Sequence, residues 1–185
     1  HLLGFEKLGV RAKSANSRLY LEAPHGLHGA TYRFAKNTHT GTENLIMLAV
    51  CAQGVTILEN AAQETEIDDL ILFLNRAGGN IKRLAGRKIR IIGVPKLYGQ
   101  THLVIPDANE AVSYACAALI TQGDIAIEGA KTKDLIAFLK KIRETGGEYE
   151  SSSWGIRFWY AGPLQATNVA TKPYPGFKTD WQQLW

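Results

Sequence analysis

An internal repeat of about 69 residues constrains this chain more than any other feature of its sequence. The segment AVCAQGVTILENA at 49–61 is answered by ALITQGDIAIEGA at 118–130. Each copy is followed by an amphipathic helix pattern that ends in Gly78-Gly79 or Gly146-Gly147, and then by a short β-rich run. Because helix, strand, helix and strands recur in the same order, the repeat predicts an α/β fold of duplicated units around one core.

The repeat also predicts how the chain is organised. We expect a single domain over 1–185, with repeat units at about 38–94 and 101–160 and the start of a third unit at 171–185. No linker or low-complexity stretch divides the units. The chain begins at His1 without a helix-capping signal, so we expect a segment of a longer protein.

Composition limits the classes of protein to which this chain can belong. The 185 residues, 45% hydrophobic and 21% charged, suit a globular protein with a sizeable core. No apolar run approaches the roughly 18 residues of a membrane span and no secretory signal is present, so we expect a cytoplasmic protein without a membrane partner. The net charge of +4 is spread along the chain, and aromatic residues do not interleave with the bases, which argues against a nucleic-acid partner. The histidines lack metal-ligand spacing, so no metal site is predicted.

Local patterns give expectations for individual elements. Alternation at 19–22 and 30–34, around a turn at Pro24-His25-Gly26, predicts a hairpin or a pair of sheet strands. A helix is predicted over 42–53, and the Gly-Gly pairs are predicted to end the second helix of each unit. Cys51 and Cys116 lie among small and apolar residues of the first helices, which predicts two buried thiols, with a disulfide or a metal pair as the alternative.

The segment KNTHTGTEN at 36–44 is the first candidate site. A strand ends there and a helix begins, so free N–H groups and the positive end of the helix dipole would face an anion, with Lys36 supplying a full charge. The alternative is that Thr40-Gly41-Thr42-Glu43 is only a capping box that starts the helix.

Acidic residues form the other candidates. Glu64 and Glu66 lie in ENAAQETEIDD at 59–69, where a strand end meets a helix start, and most carboxylates of that run are expected to be solvated or capping. In PYPGFKTD at 173–180, a stiff loop presents Thr179 and Asp180, and such a carboxylate can accept a proton from a substrate hydroxyl. Helix capping by Asp180 is the alternative. Asp107, in IPDANE, occupies the related place of the preceding repeat.

Three motifs together resemble a known family. They are THTGTENLIMLAVCAQGVTILENAAQETEIDDLILFLNRAGGNI, VIPDANEAVSYACAALITQGD and PYPGFKTDWQ, which occur in order over nearly the whole chain. The chain is similar to the bacterial enolpyruvyl transferases that begin peptidoglycan synthesis for the cell wall. The resemblance implies repeated inverse α/β units with helices inside and sheets outside, in a protein of two similar domains of which this chain covers most of one.

The resemblance also implies an activity. It is the transfer of the enolpyruvyl group of phosphoenolpyruvate to the 3-hydroxyl of UDP-N-acetylglucosamine, with release of phosphate and without a cofactor. Asp180, in a Thr179-Asp180-x-Gln motif, would be the base for the sugar hydroxyl. The remaining residues that the resemblance places against substrate are the diphosphate loop of Lys36, Thr38, His39, Thr40 and Gly41, and the cleft acids Glu64, Glu66 and Asp107.

The chain departs from the family pattern in three ways. Thr38-His39-Thr40-Gly41 stands where the family usually has Ser-x-Gly-Ala, and Ala108 stands where a basic residue commonly follows the aspartate. The reactive loop cysteine that usually precedes a histidine like His1 is absent from the chain, so we expect the isolated chain to be inactive without it and the second domain. Two alternatives stay open: the shikimate-pathway enolpyruvyl transferase, and a noncatalytic nucleotide-sugar-binding homologue.

Overall fold

A computed structural model describes residues 1–181 of the chain. The chain divides into two compact units, His1–Val104 and Ile105–Trp185. Each unit contains the helix, strand, helix, strand and strand that the repeat predicts, in that order. The single domain expected over the whole chain stays a prediction.

The first unit contains two sheets. A short helix, α1 (Leu2–Lys7), precedes a hairpin of β1 (Arg11–Ala15) and β2 (Arg18–Glu22). The second sheet has the order β3-β4-β6-β5, in which β3 is parallel to β4 and the other neighbours are antiparallel. Its strands are β3 (Thr31–Arg33), β4 (Val55–Glu59), β5 (Asn80–Leu84) and β6 (Lys88–Ile92).

Of the two alternatives predicted for the segments at 19–22 and 30–34, the hairpin is wrong, whereas both segments do form strands of sheets. The strand β2 pairs instead with β1, through a turn in which Asn16 and Ser17 have φ values of 49° and 57°. Two consecutive positive φ values suit the tight turn of a two-residue hairpin, and asparagine tolerates this conformation better than most residues. The segment at 30–34 provides β3, which joins the other sheet.

Two helices cover the four-stranded sheet of the first unit. These are α2 (His39–Ala49) and α3 (Thr65–Arg76). Apolar residues at helical spacing on each helix are buried against the inward-facing residues of β4 and β6, as the i, i+3, i+4 pattern predicts. The central members of this core are Leu45, Ile46, Leu58, Ile67, Ile71, Ile89 and Ile91.

The second unit repeats this arrangement with one three-stranded antiparallel sheet of order β7-β9-β8. An aromatic cluster fills its core, where the ring of Phe138 lies 6.2 Å from that of Phe158 and 6.0 Å from that of Trp181. All three side chains are buried. Its elements are α4 (Ala108–Ile120), β7 (Asp124–Glu128), α5 (Thr132–Glu144), β8 (Gly147–Ser151) and β9 (Gly155–Tyr160).

The predicted glycine stops of the second helices are confirmed. Gly78 and Gly146 follow the ends of α3 and α5 with φ values of 102° and 86°, a conformation that a side chain with a Cβ adopts at a cost. Backbone N–H groups after each helix donate to carbonyls of its last turn, including Gly79 to Leu74 at 2.8 Å and Gly146 to Arg143 at 3.1 Å.

The prediction of two buried thiols is wrong for Cys51. Its side chain is exposed just beyond the end of α2, whereas Cys116 is partly buried along α4, and both are free thiols. Burial raises the pKa of the Cys116 thiol to about 11, because the apolar surroundings penalise the charged thiolate.

We expect a thiol-directed alkylating reagent at pH 8 to modify Cys51 and to leave Cys116 largely unmodified. The thiolate is the nucleophile, and a pKa near 11 keeps Cys116 almost entirely protonated at that pH. Peptide mass spectrometry after iodoacetamide treatment would measure both sites, and Cys116 labelling should grow as the pH approaches 11. Fast labelling of Cys116 in a folded Cys51→Ser variant at pH 8 would contradict this expectation.

Candidate functional site

The segment at 36–41, called here the Lys36 loop, follows β3 and includes the first turn of α2. Hydrogen bonds hold it beside the residues that follow β4. Phe34 N–H donates to Glu59 O at 3.0 Å, Asn60 Nδ2 donates to Phe34 O at 3.0 Å, and Asn37 Nδ2 donates to Asn60 O at 3.4 Å. Lys36 is exposed, with no ion pair or hydrogen bond to another residue within 1–181.

The predicted capping box at Thr40–Glu43 is wrong, because α2 begins earlier than expected. Thr38 is the N-cap, and its Oγ1 accepts a hydrogen bond from Gly41 N–H at 3.3 Å. Thr40 and Glu43 therefore lie within the helix, where Glu43 Oε1 is 3.6 Å from His39 Nε2. Thr38 was among the predicted ligand residues, and its observed role is to start the helix.

Gly41 allows the Thr38 cap to approach the helix closely. A Cβ at position 41 would lie 2.5 Å from Cγ2 of Thr38 and 3.0 Å from its Oγ1. Gly41 stands one position later than the glycine of the family's usual Ser-x-Gly-Ala pattern. At this position the absence of a Cβ leaves room for the methyl group of Thr38. His1 also contacts this turn, with Nε2 3.4 Å from Oγ1 of Thr40.

Residues 60–66 lie against the same end of α2. The buried Thr42 side chain joins the two segments, since its Oγ1 donates to Thr38 O at 2.7 Å and accepts from Ala62 N–H at 3.0 Å. Glu64 then precedes α3 and is 7% exposed, and its Oε2 is buried without a hydrogen-bond partner among residues 1–181. Glu66 is half-buried in the first turn of α3, where its Oε2 is 3.4 Å from Oγ1 of Thr65.

The second unit starts its first helix with a side-chain cap at the equivalent repeat position. Asp107 is the N-cap of α4, and its Oδ1 accepts from Asn109 N–H at 2.7 Å. Thr38 and Asp107 are 107 − 38 = 69 residues apart, which is the repeat offset. Asp107, predicted to face substrate, therefore has a structural contact within its own unit.

Asp180 lies at the tip of a tight turn in the second unit. Trp181 N–H donates to Lys178 O at 3.2 Å, so Thr179 and Asp180 are the two central residues of a four-residue turn. Both central residues are exposed, while Lys178 and Trp181 at the corners are 6% and 1% exposed. The alternative prediction, helix capping by Asp180, concerns residues 182–185 and lies outside the described residues.

Several residues that hold these loops were missed by sequence reasoning. Thr42 and Asn60 connect the Lys36 loop to the segment after β4. Asn109 contacts Lys178, which is a corner residue of the turn that contains Asp180. Only Asn60 carries a local signal, because an asparagine directly after a strand is a common turn residue and here has a φ of 55°. The others depend on partners that are distant in sequence.

Within residues 1–181, no group of three His, Cys, Asp or Glu side chains is placed to hold a metal ion. No helix of that range is long and apolar enough to cross a membrane. The first unit presents a polar loop before α2 whose Lys36 is unpaired within residues 1–181, and the second unit presents a tight turn with the exposed Asp180.

This fold and these loops define the chain as having an enolpyruvyl transferase fold. The enolpyruvyl transferase NikO from Streptomyces tendae superposes with a TM-score of 0.82 at 18% identity, over 99% of this chain and 46% of NikO. EPSP synthase from Acinetobacter baumannii superposes with a TM-score of 0.61 at 16% identity, over 91% of this chain and 41% of that protein. These likenesses confirm the predicted fold class.

The chain belongs to the EPSP synthase (3-phosphoshikimate 1-carboxyvinyltransferase) family, whose sequence model matches residues 1–185. It is similar to the UDP-N-acetylglucosamine 1-carboxyvinyltransferase of Protochlamydia amoebophila (strain UWE25), with 40% identity over 188 residues. The protein of that name from Chlamydia trachomatis serovar D is 42% identical over 184 residues. Each match covers 99% of this chain but 40% and 41% of the relative, so the chain spans about two fifths of their length.

Proposed function

We propose that this chain is part of a longer polypeptide, called here the full-length enzyme, that transfers the enolpyruvyl group of phosphoenolpyruvate to the 3-hydroxyl of UDP-N-acetylglucosamine. The observation that carries this proposal is the identity of about 40% over 99% of the chain to proteins of the corresponding name. The reaction would be the first committed step of peptidoglycan synthesis and would take place in the cytoplasm, with a second domain of the same polypeptide completing the site.

The Lys36 loop is proposed to bind the diphosphate of the sugar nucleotide. Two features of the first unit support this role. The loop includes the first turn of α2, an 11-residue helix whose first turn carries no acidic residue, so the positive end of its dipole is not neutralised there. The exposed Lys36 amine has no partner within residues 1–181 and can pair with a phosphate oxygen. The proposed contacts come from Lys36, Thr38, His39, Thr40 and Gly41.

Glu64 and Glu66 are proposed to receive hydroxyl or amide donors of the substrates. The buried Glu64 Oε2 supports this role, because a carboxylate oxygen that lacks a donor is costly to bury and gains a hydrogen bond when a ligand supplies one. Asp107 and Thr179 are proposed as further contacts in the second unit, although the Oδ1 atom of Asp107 is already engaged with Asn109.

Asp180 is proposed as the general base that removes the proton of the sugar 3-hydroxyl. Its exposure at the tip of a turn leaves both carboxylate oxygens accessible to a substrate hydroxyl. As the hydroxyl oxygen attacks C2 of phosphoenolpyruvate, its proton passes to the Asp180 carboxylate and C3 takes up a proton, so the C2=C3 double bond becomes a single bond. C3 then loses a proton as the C2–O bond to phosphate breaks, which restores the double bond and releases inorganic phosphate. Base assistance of this kind requires the carboxylate within hydrogen-bond reach of the hydroxyl.

A phosphate-release assay with the full-length enzyme tests the proposed function. We expect release that depends on both phosphoenolpyruvate and UDP-N-acetylglucosamine, and competitive inhibition by uridine diphosphate, because the Lys36 loop would bind the diphosphate. Release with 3-phosphoshikimate as the acceptor, unaffected by uridine diphosphate, would contradict the choice of acceptor. Binding of the sugar nucleotide without any phosphate release would contradict catalysis itself.

A further inference from the structure

The first and last residues of the turn that contains Asp180 both contact the same side-chain oxygen, Oδ1 of Asn109. The amide oxygen Oδ1 of Asn109 accepts a hydrogen bond from Trp181 Nε1 at 3.0 Å and lies 3.3 Å from Lys178 Nζ. The lysine ammonium and the indole N–H can only donate, so the group of Asn109 that faces them is its oxygen. Lys178 and Trp181 are the first and last residues of the turn, and Asp180 lies between them.

Asn109 is itself held rigidly on the first turn of α4. Its backbone N–H donates to Asp107 Oδ1 at 2.7 Å, and its backbone carbonyl accepts from Ser113 Oγ at 2.9 Å. The helix that carries it is 13 residues long and buries its apolar face in the core of the second unit. Because Asn109 Oδ1 is fixed on α4, its hydrogen bonds fix the position of the turn relative to that helix.

Burial makes these two bonds difficult to replace. Trp181 is 1% exposed and its ring lies edge-on to Phe177 at 5.3 Å, while Lys178 is 6% exposed and its Nζ is 5.9 Å from the centre of the Trp181 ring. No carboxylate within residues 1–181 forms an ion pair with Lys178, so Asn109 is its one hydrogen-bonded side-chain partner in that range. Without the Asn109 oxygen, two donors would be left unsatisfied in a mostly water-free place.

We propose that Asn109 is a positioning residue for the proposed enolpyruvyl transfer: its side-chain oxygen fixes both corners of the 178–181 turn and thereby sets where the Asp180 carboxylate stands. The inference rests on the proposed function of Asp180 as the base. Asn109 does not touch the substrate in this proposal and acts only through the turn. A base displaced by about 1 Å from its productive position can lose about 100-fold in rate, because proton transfer depends steeply on distance and direction.

The test replaces the acceptor in the full-length enzyme and measures turnover and nucleotide-sugar binding separately. Asn109→Leu keeps the side-chain size but removes the oxygen, and we expect its kcat to fall about 10- to 100-fold with KM for UDP-N-acetylglucosamine changed by less than about twofold. Asn109→Asp retains an oxygen acceptor and can pair with Lys178, so it should recover most of the lost kcat. Asn80→Leu, the same change at an exposed residue of β5, is the matched control and should keep wild-type values.

Three outcomes would overturn the positioning role. They are wild-type kcat in Asn109→Leu, an equal loss of kcat and sugar-nucleotide affinity, and a failure of Asn109→Asp to restore turnover. An Asp180→Asn variant assayed in parallel separates this inference from the one on which it rests. If Asp180→Asn is nearly inactive while Asn109→Leu keeps wild-type kcat, only the positioning role fails; if Asp180→Asn remains fully active, the proposed base is wrong and the positioning role falls with it.

Discussion

Replacing Asp180 by asparagine in the full-length enzyme is expected to lower kcat by about 100-fold or more and to leave binding of UDP-N-acetylglucosamine nearly unchanged. General-base assistance by a positioned side chain contributes about 10²- to 10⁴-fold, and an amide cannot accept the proton of the sugar hydroxyl. The substitution keeps the size of the side chain at an exposed turn position, so the fold should not respond. Steady-state phosphate release gives kcat, and calorimetric titration gives the affinity for the sugar nucleotide.

A matched control is available for the Asp180 experiment. Glu128→Gln makes the same carboxylate-to-amide change at the exposed end of β7, and we expect wild-type turnover from it. If Asp180→Asn weakened sugar-nucleotide binding and kcat to the same extent, the carboxylate would have a binding or structural role and not that of a base.

The largest expected loss of stability follows from Phe138→Ala. The Phe138 side chain is 0% exposed and packs between the rings of Phe158 and Trp181, so its removal loses the transfer free energy of the ring and leaves a cavity in the core. Substitutions of this kind lower the free energy of unfolding by about 3 to 5 kcal/mol. The free energy of unfolding of a small unit is itself small, so this loss would be a large fraction of it.

Urea denaturation followed by tryptophan fluorescence measures this loss where it occurs. All four tryptophans lie in the second unit, so the signal reports the unit that contains Phe138. Ile136→Ala, on the same helix but 64% exposed, should change the free energy of unfolding by less than about 0.5 kcal/mol. An equal effect of the two substitutions would show that the aromatic cluster does not stabilise the second unit as its burial implies.

The order of elements could be predicted because its signals are local. Apolar residues at helical spacing in α3 and α5, and glycines after both helices, occur within a few residues of the structure that they specify. The repeat doubled this information, since each copy supports the interpretation of the other. Family resemblance then pointed to the Lys36 loop and Asp180, whose proposed roles remain predictions.

The start of α2 shows where local patterns were insufficient. Thr38 and Thr40 are both acceptable caps by residue type, and the Thr40–Glu43 spacing favoured the second. The structure uses Thr38, because Thr42 then joins the helix to Ala62 while Gly41 leaves room for the methyl group of the cap. The contact with Ala62 involves a residue that is 20 positions away, so the choice between two local candidates depended on a distant partner.

The sequence by itself determined that two α/β units occur in succession and where most of their helices and strands lie, because hydrophobic periodicity and turn residues act over short distances. Only the tertiary structure decided that β2 pairs with β1 and that Thr38 caps α2. It also decided that Asn109 Oδ1 accepts hydrogen bonds from Lys178 and Trp181, the corner residues of the turn that contains Asp180. The partners of Asn109 are 69 and 72 residues away. A hydrogen bond between such distant residues exists only when folding brings them together, and no local pattern encodes it.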